Sequence, residues 1–361
     1  MDGAGWHVDS PRVIYATSCR LQLRFVIAFI PRNANQVINI KAYGIAGLAL
    51  AVIGFGPAVS GAQTDSCLVR TVTVGALTDR GEAVTDLVPE SFTASLHKKQ
   101  VQIRSVTPKD LPPRVMLLLD ASGSVVSVAA DWQPSVGIAS SIVRTLPAGS
   151  QIGLVVFAGK IDIYVDLTTD RSKIQRELET LKKGPPVSVL GTALWDSVSK
   201  VVATEFTVPR EGDSIYAITD GDDTASLAKV NDVSKVLVAK HIRLFGFVDR
   251  SEESALIAGG EQMANFRNTV SATGGYAIIV KGNHPEMSPL PAGAFRKPDG
   301  LEKLLAIQLN QISQFYSLEI ELPESLGKNQ EWQLRPVDSS PRKFLVTYPH
   351  TLASCSPPPS R

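Results

Sequence analysis

Arg114 to Ser124 reads R-V-M-L-L-L-D-A-S-G-S, an apolar run that ends in one carboxylate and two hydroxyls, Asp120, Ser122 and Ser124. All three offer oxygen, and none offers sulfur or imidazole. Such a set suits a hard divalent cation, Mg2+ first, with Mn2+ or Ca2+ as alternatives. A cation of this kind keeps several waters and accepts an oxygen from a substrate or partner. The pattern D-x-S-x-S arises by chance in roughly one chain in ten of this length, so more oxygen donors are needed. Two later segments supply them. In V-L-G-T-A-L-W-D-S-V, Val189 to Val198, Thr192 follows a glycine at the start of a helical pattern, where a hydroxyl caps the helix or faces a ligand. In D-S-I-Y-A-I-T-D-G-D-D-T, Asp213 to Thr224, a second apolar run ends in an acid, Asp220, before a tight turn at Gly221. Alone, Asp120 or Asp220 would serve equally as a cap or turn residue, and Thr192 more readily as a cap. Their joint occurrence in this order points to a metal. Asp222 and Asp223 read as a solvated acidic turn beside the site.

The elements that must position these residues follow from hydrophobic pattern. Val115 to Leu119 is continuously apolar, as in a strand buried on both faces of a parallel sheet. Asp120 then stands at the carboxyl end of that strand, where open α/β sheets place their ligand crevice. Further along, a helix around Trp132 to Leu146, a strand at Ile152 to Phe157 and an edge-like strand at Ile161 to Leu167 follow. A helix from Arg171 to Leu181 carries Ile174, Leu178 and Leu181 on one face. Strands at Ile215 to Thr219, Ile242 to Val248 and Tyr276 to Val280 alternate with helical patterns, the last at Leu301 to Gln314. This alternation predicts an α/β fold with a doubly wound, mostly parallel sheet. Residues 68–110 instead read as short strands and turns: Arg70 to Val74, a turn at Asp79-Arg80-Gly81, Ser91 to Leu96 and Val101 to Val106, with Pro108, Pro112 and Pro113 punctuating the entry to the first sheet strand. The C-terminal portion is β-like again at Phe315 to Leu322, Trp332 to Val337 and Lys343 to Tyr348.

D-A-S-G-S, the G-T of L-G-T-A-L-W-D, and T-D-G resemble the three segments of the metal-ion-dependent adhesion site of the von Willebrand factor A domain. By that resemblance Ser122, Ser124 and Thr192 hold the metal through hydroxyls, and Asp120 and Asp220 act mostly through waters. The flanks, D-R-G-E-A-V-T-D-L-V-P-E-S-F-T-A and Q-F-Y-S-L-E-I-E-L, resemble the exported von Willebrand factor A-related proteins common in acidobacteria. Those proteins usually end the last segment near an arginine-glycine-tyrosine. Here Tyr348 follows Val346 and Thr347, so that end diverges. The resemblance implies one small β domain built from both flanks, with the A domain inserted between them.

Lys41, the apolar run A-Y-G-I-A-G-L-A-L-A-V-I-G-F-G and the small-residue run A-V-S-G-A ending at Ala62 form a signal-peptide pattern. The apolar stretch falls short of the about 20 residues a membrane span needs. Cleavage after Ala62 and a periplasmic or secreted location are expected, with translation starting near Val37 and residues 1–36 an artefact of gene calling. An uncleaved anchor behind a cytoplasmic leader is the alternative. The boundaries read 1–36 leader, 37–62 signal peptide, 63–110 β segment, 111–314 A domain, 315–355 β segment and 356–361 disordered tail, the last holding Pro357-Pro358-Pro359. Processing would remove Cys19 and leave Cys67 and Cys355, which pair as a disulfide or stay thiols; both flank strand-like segments, which favours pairing. The bridge would contribute about 5 kcal/mol at most.

Net charge is +1 with no basic cluster, so no nucleic-acid footprint is present. The five histidines show no metal-ligand spacing, and no G-x-S-x-G elbow occurs. The leading expectation is a non-enzymatic binding module whose cation captures a carboxylate from a partner protein. A structural subunit of a cell-envelope assembly, with the metal serving stability, is the alternative. A phosphohydrolase of the haloacid dehalogenase type would need a second aspartate at position 122 as general acid, and Ser122 does not transfer protons near neutral pH.

Overall fold

The computed structural model describes residues 67–126, 129–186, 190–250, 260–281, 284–288, 290, 300–337 and 343–355. The expected leader, signal peptide and C-terminal tail lie outside the described residues. Sixteen strands are present among the described residues: β1 Val69–Thr78, β2 Phe92–Leu96, β3 Lys99–Gln100, β4 Gln102–Asp110, β5 Arg114–Asp120, β6 Gln151–Phe157, β7 Ile161–Thr168, β8 Ser214–Thr219, β9 Arg243–Arg250, β10 Ala277–Lys281, β11 His284–Ser288, β12 Gln314–Glu321, β13 Gln330–Glu331, β14 Gln333–Pro336, β15 Phe344–Thr347 and β16 Thr351–Leu352. The helices are α1 Gly123–Val126, α2 Ala129–Thr145, α3 Arg171–Leu181, α4 Leu194–Thr204, α5 Val230–Ala239, α6 Gly260–Thr273 and α7 Leu301–Ser313.

The central sheet runs β11-β10-β9-β8-β5-β6-β7. Its five inner strands are parallel, and β7 and β11 add antiparallel edges. Because β5 is followed by β6 on one side and later by β8 on the other, the strand order reverses beside β5. The crevice outside the carboxyl ends of β5 and β8 is therefore the switch point of the sheet. β5, β6 and β8 are buried nearly throughout, since helices cover both faces of a parallel sheet. α4, α5 and α7 each turn an apolar face inward, with Val198, Leu237 and Leu304 among the buried residues.

The two flanks fold together. β1 pairs antiparallel with β12 and, further along, with β15; β12 in turn pairs with β4. β14 pairs with β2, and β13 with β16. A second core of Val72, Val74, Phe92, Leu318, Ile320, Trp332 and Leu334 lies between these small sheets, apart from the core around the central sheet. Cys67 and Cys355 stand with their Cα atoms 5.5 Å apart, at a sequence separation of 288. That spacing suits a disulfide.

Two details differ from the sequence reading. Pro108 lies within β4 rather than closing it, because β4 is the outer strand of its sheet and an edge tolerates a residue without an N–H. Strand β11, with Pro285 in it, carries no alternation that would announce it.

At the amino end of β5 and β8 a buried ion pair fixes the two strands. Arg114 Nε donates to Asp213 Oδ1 at 2.7 Å and its Nη2 to Oδ2 at 2.5 Å, while the Asp213 side chain is 1% exposed. Asp213 also accepts from the Arg210 backbone N–H at 2.8 Å. Replacing Asp213 strands a buried guanidinium, so Asp213→Ala should lower the unfolding free energy by about 3–5 kcal/mol. Urea unfolding followed by circular dichroism measures this, and a loss below about 1 kcal/mol would mean that the pair does not anchor the sheet.

Candidate metal centre

Asp120 is the last residue of β5 and is fully buried. Its Oδ1 accepts the Ser122 backbone N–H at 2.8 Å, which bends the chain into α1, and its Oδ2 accepts the Thr219 hydroxyl at 2.6 Å. Thr219 closes β8, and its Oγ1 also accepts from Gly221 N–H at 3.1 Å. The ends of β5 and β8 are thus joined by one side-chain bond. Ser122 is buried and Ser124 exposed, their hydroxyls 3.2 Å apart. The five sequence-predicted residues gather at this end of the sheet, with Ser124 on the solvent side.

Asp220 follows β8. Its Oδ1 accepts Asp222 N–H at 3.0 Å, whereas its Oδ2 is buried and has no hydrogen-bond partner among the described residues. A buried carboxylate oxygen without a donor costs free energy unless a cation or water satisfies it. The charge of Asp220 also acts on its neighbour. Burial, and then the Asp220 charge, raise the Asp120 carboxyl from an ordinary 3.8 to about 7, against the Thr219 and Ser122 hydrogen bonds. Asp120 therefore resists taking its charge beside Asp220 unless something positive joins them.

Thr192 is 3% exposed and does not cap a helix. The N-cap of α4 is Ala193, which has no side-chain cap bond, and the Thr192 hydroxyl bonds to no described residue. Its backbone is sewn to the loop after β8: Thr192 N–H donates to Thr224 Oγ1 at 3.0 Å, and Thr192 O accepts from Thr224 and Ala225 N–H at 2.9 Å each. Gly191, φ 96°, packs against the loop after β8, and Gly221, φ 85°, packs against α6. A Cβ on Gly191 would stand 3.0 Å from the Ala225 Cβ, and one on Gly221 would stand 2.6 Å from Met263 Cε.

Asp223 is not the solvated turn residue that the sequence reading took it for. Its Oδ1 accepts from Leu194 N–H at 2.9 Å and from the Ser226 hydroxyl at 2.5 Å. It caps α4 from another loop, supplying what Ala193 lacks. Burial raises its carboxyl, and these hydrogen bonds partly offset the rise. Asp196, in the first turn of α4, returns the link by accepting from Leu227 and Ala228 N–H at 3.0 and 2.8 Å. Sequence reasoning passed over Thr219 and Asp223 as ligand supports. A hydroxyl directly before Asp220 and a second acid three residues after it were the available signals.

Among the described residues no group of three His, Cys, Asp or Glu side chains could hold a metal ion. The donors here are two carboxylates and three hydroxyls, a set matched to a hard cation that retains waters. The residues fit such an ion.

The description "von Willebrand factor type A domain" belongs to the family model that matches residues 115–222, a stretch that contains all five residues. No curated protein matches the chain. Solved structures with a similar fold include a von Willebrand factor type A protein from Catenulispora acidiphila, at 10% identity over 80% of this chain and 75% of that one, with a TM-score of 0.41. An aerotolerance-related membrane protein from Bacteroides fragilis is 20% identical over 47% of this chain and 92% of that one, TM-score 0.38. Proximal thread matrix protein 1 from the mussel byssus, solved with a zinc-occupied metal-ion-dependent adhesion site, is 15% identical over 58% and 49%, TM-score 0.42. The strand order and the switch point agree with the match, and residues 115–222 are the part of the chain that matches a von Willebrand factor type A domain.

Proposed function

We propose that this protein is an exported, non-enzymatic binding module. Asp120, Ser122, Ser124, Thr192 and Asp220 hold a divalent cation, Mg2+ first, that captures a carboxylate of a partner protein. The observation that carries the reading is Asp220 Oδ2, a buried carboxylate oxygen without a donor, beside the buried Asp120. The bound cation would supply positive charge and an open coordination position. The chain's own contribution is to orient and to exclude water. Thr219 and the Ser122 N–H aim Asp120, the Thr224 contacts fix Thr192, and exposed Ser124 marks the open side. Ser122 occupies the position where phosphoryl transfer needs a general acid, which argues against the phosphohydrolase alternative. The signal-like segment 37–62 supports export. In an oxidising compartment Cys67 and Cys355 would form a structural disulfide. Among the described residues no helix is long and apolar enough to cross a membrane.

Three outcomes test this reading. The first is linkage. An acid whose protonation is favoured in the folded state loses stability as pH rises, from its unfolded value near 3.8 to about 7 for Asp120. Chelated protein should therefore melt at progressively lower temperature across that window. Mg2+ should raise the melting temperature more at pH 8 than at pH 5, and should fail to do so in Asp220→Asn. An equal Mg2+ shift at both pH values would contradict the site. The second is capture. Pull-down from envelope extract should need Mg2+, be blocked by a short glutamate-bearing peptide, and be lost in Thr192→Ala. Stability that depends on the metal while capture does not would favour the structural-subunit alternative. The third concerns export: mass spectrometry of the secreted protein should find a mature N-terminus at Gln63, and a peptide from residues 1–36 would refute the proposed start.

A further inference from the structure

A cleft of about 1140 Å³ opens between α5, α6 and the β unit, and it shares no lining residue with the metal centre. On one wall stand Asn231 of α5 and Asn265 and Asn268 of α6, the latter two spaced to share a helix face. None of these three amide groups hydrogen-bonds another described residue. Each offers two donors and one acceptor, the complement of neighbouring hydroxyls on a sugar ring. The opposite wall carries Lys98, Lys328 and Arg335, none of them ion-paired with a described residue. Glu331 is the one carboxylate in the lining. Tyr348 and His350, half-buried with ring centroids 4.5 Å apart and planes at 39°, add an aromatic surface.

The β2–β3 turn forms the rim of the cleft. His97 and Lys98 form the β2–β3 turn with φ 50° and 66°, a left-handed pair that an Asn-Gly would adopt with less strain. The His97 ring is held by Glu324 and Gln330 at 3.1 and 3.0 Å, so the turn is fixed and directs Lys98 at the cleft. The left-handed pair is what a two-residue hairpin requires, and it places Lys98 at the rim without an ion-pair partner among the described residues.

We propose that this cleft binds an oligosaccharide carrying carboxylates. The amides read hydroxyls, the three cations meet the acid groups, and the Tyr348–His350 surface supports a sugar ring. An acidic peptide would satisfy the cations but has no ring for the aromatic surface. Titration calorimetry of the full chain in chelator, with tetragalacturonate as probe and cellotetraose and tetraglutamate as comparators, tests the assignment. Tetragalacturonate should bind with a Kd below about 1 mM. The double variants Asn265→Ala/Asn268→Ala and Lys98→Glu/Lys328→Glu, folded by circular dichroism, should each weaken binding at least about tenfold, while Thr192→Ala leaves it unchanged. Absence of tetragalacturonate binding, equal affinity for tetraglutamate, or indifference to both double variants would overturn the proposal.

Discussion

Two carboxylates at the carboxyl ends of adjacent parallel strands are the constraint around which this molecule is built. Strands buried on both faces have no polar surface except at their ends, so Asp120 and Asp220 are forced into the same crevice by the fold that β5 and β8 create. Like charges so placed repel, and burial amplifies the repulsion. The sheet answers with donors aimed from its own backbone and side chains: Thr219 and Ser122 to Asp120, Asp222 to Asp220. One oxygen of Asp220 is left over. That oxygen is the one buried polar atom of the Asp120–Asp220 pair without a donor among the described residues.

The loops around this crevice are ordered by the same economy of donors. α4 begins at Ala193, which cannot cap it, and Asp223 reaches across from the loop after β8 to do so. Asp196 reaches back from α4 to bind Leu227 and Ala228. Each such bond contributes on the order of 1 kcal/mol alone, but together they make the Thr192 loop and the Asp220 loop one body. The Thr192 hydroxyl on one loop and the Asp220 carboxylate on the other then keep a fixed relation. Leu227, 92% exposed, and Leu190, 93% exposed, lie in these two loops.

Much of this was legible in the sequence, for a physical reason. Continuous apolar runs such as Val115 to Leu119 and Ile215 to Ile218 are required by strands covered on both sides, and the abrupt polar residue after each marks the strand end. The five site residues are local in that sense: Asp120 directly follows an apolar run, Ser124 and Thr192 directly follow a glycine, and Ser122 and Asp220 lie within two residues of such a strand end. What was not legible is non-local. Nothing in D-G-D-D-T tells which acid faces the crevice and which caps a helix some 30 residues earlier in the chain. Asp223 could be assigned only once the two loops were brought together. Pro108 misled because proline forbids an inner strand but not an outer one, and strand order is a tertiary property.

The placement of the A domain within the β unit follows from chain-closure entropy. Bringing β1 to β12 means closing a loop of a few hundred residues, which costs about 5 kcal/mol for a flexible chain. The structure pairs Asp110, just before β5, with Gln314, just after α7. The folded A domain therefore delivers its two ends side by side, as inserted domains do, and most of that closure is already accomplished before the flanks meet. The central sheet, whose five inner strands pair with one another in parallel, has its own core. The β unit draws its core from both flanks, so its closure costs least when the central sheet has already brought those flanks together. A link between Cys67 and Cys355 would then fix the outermost point of that assembly, where the chain gains least from packing and most from a covalent tie.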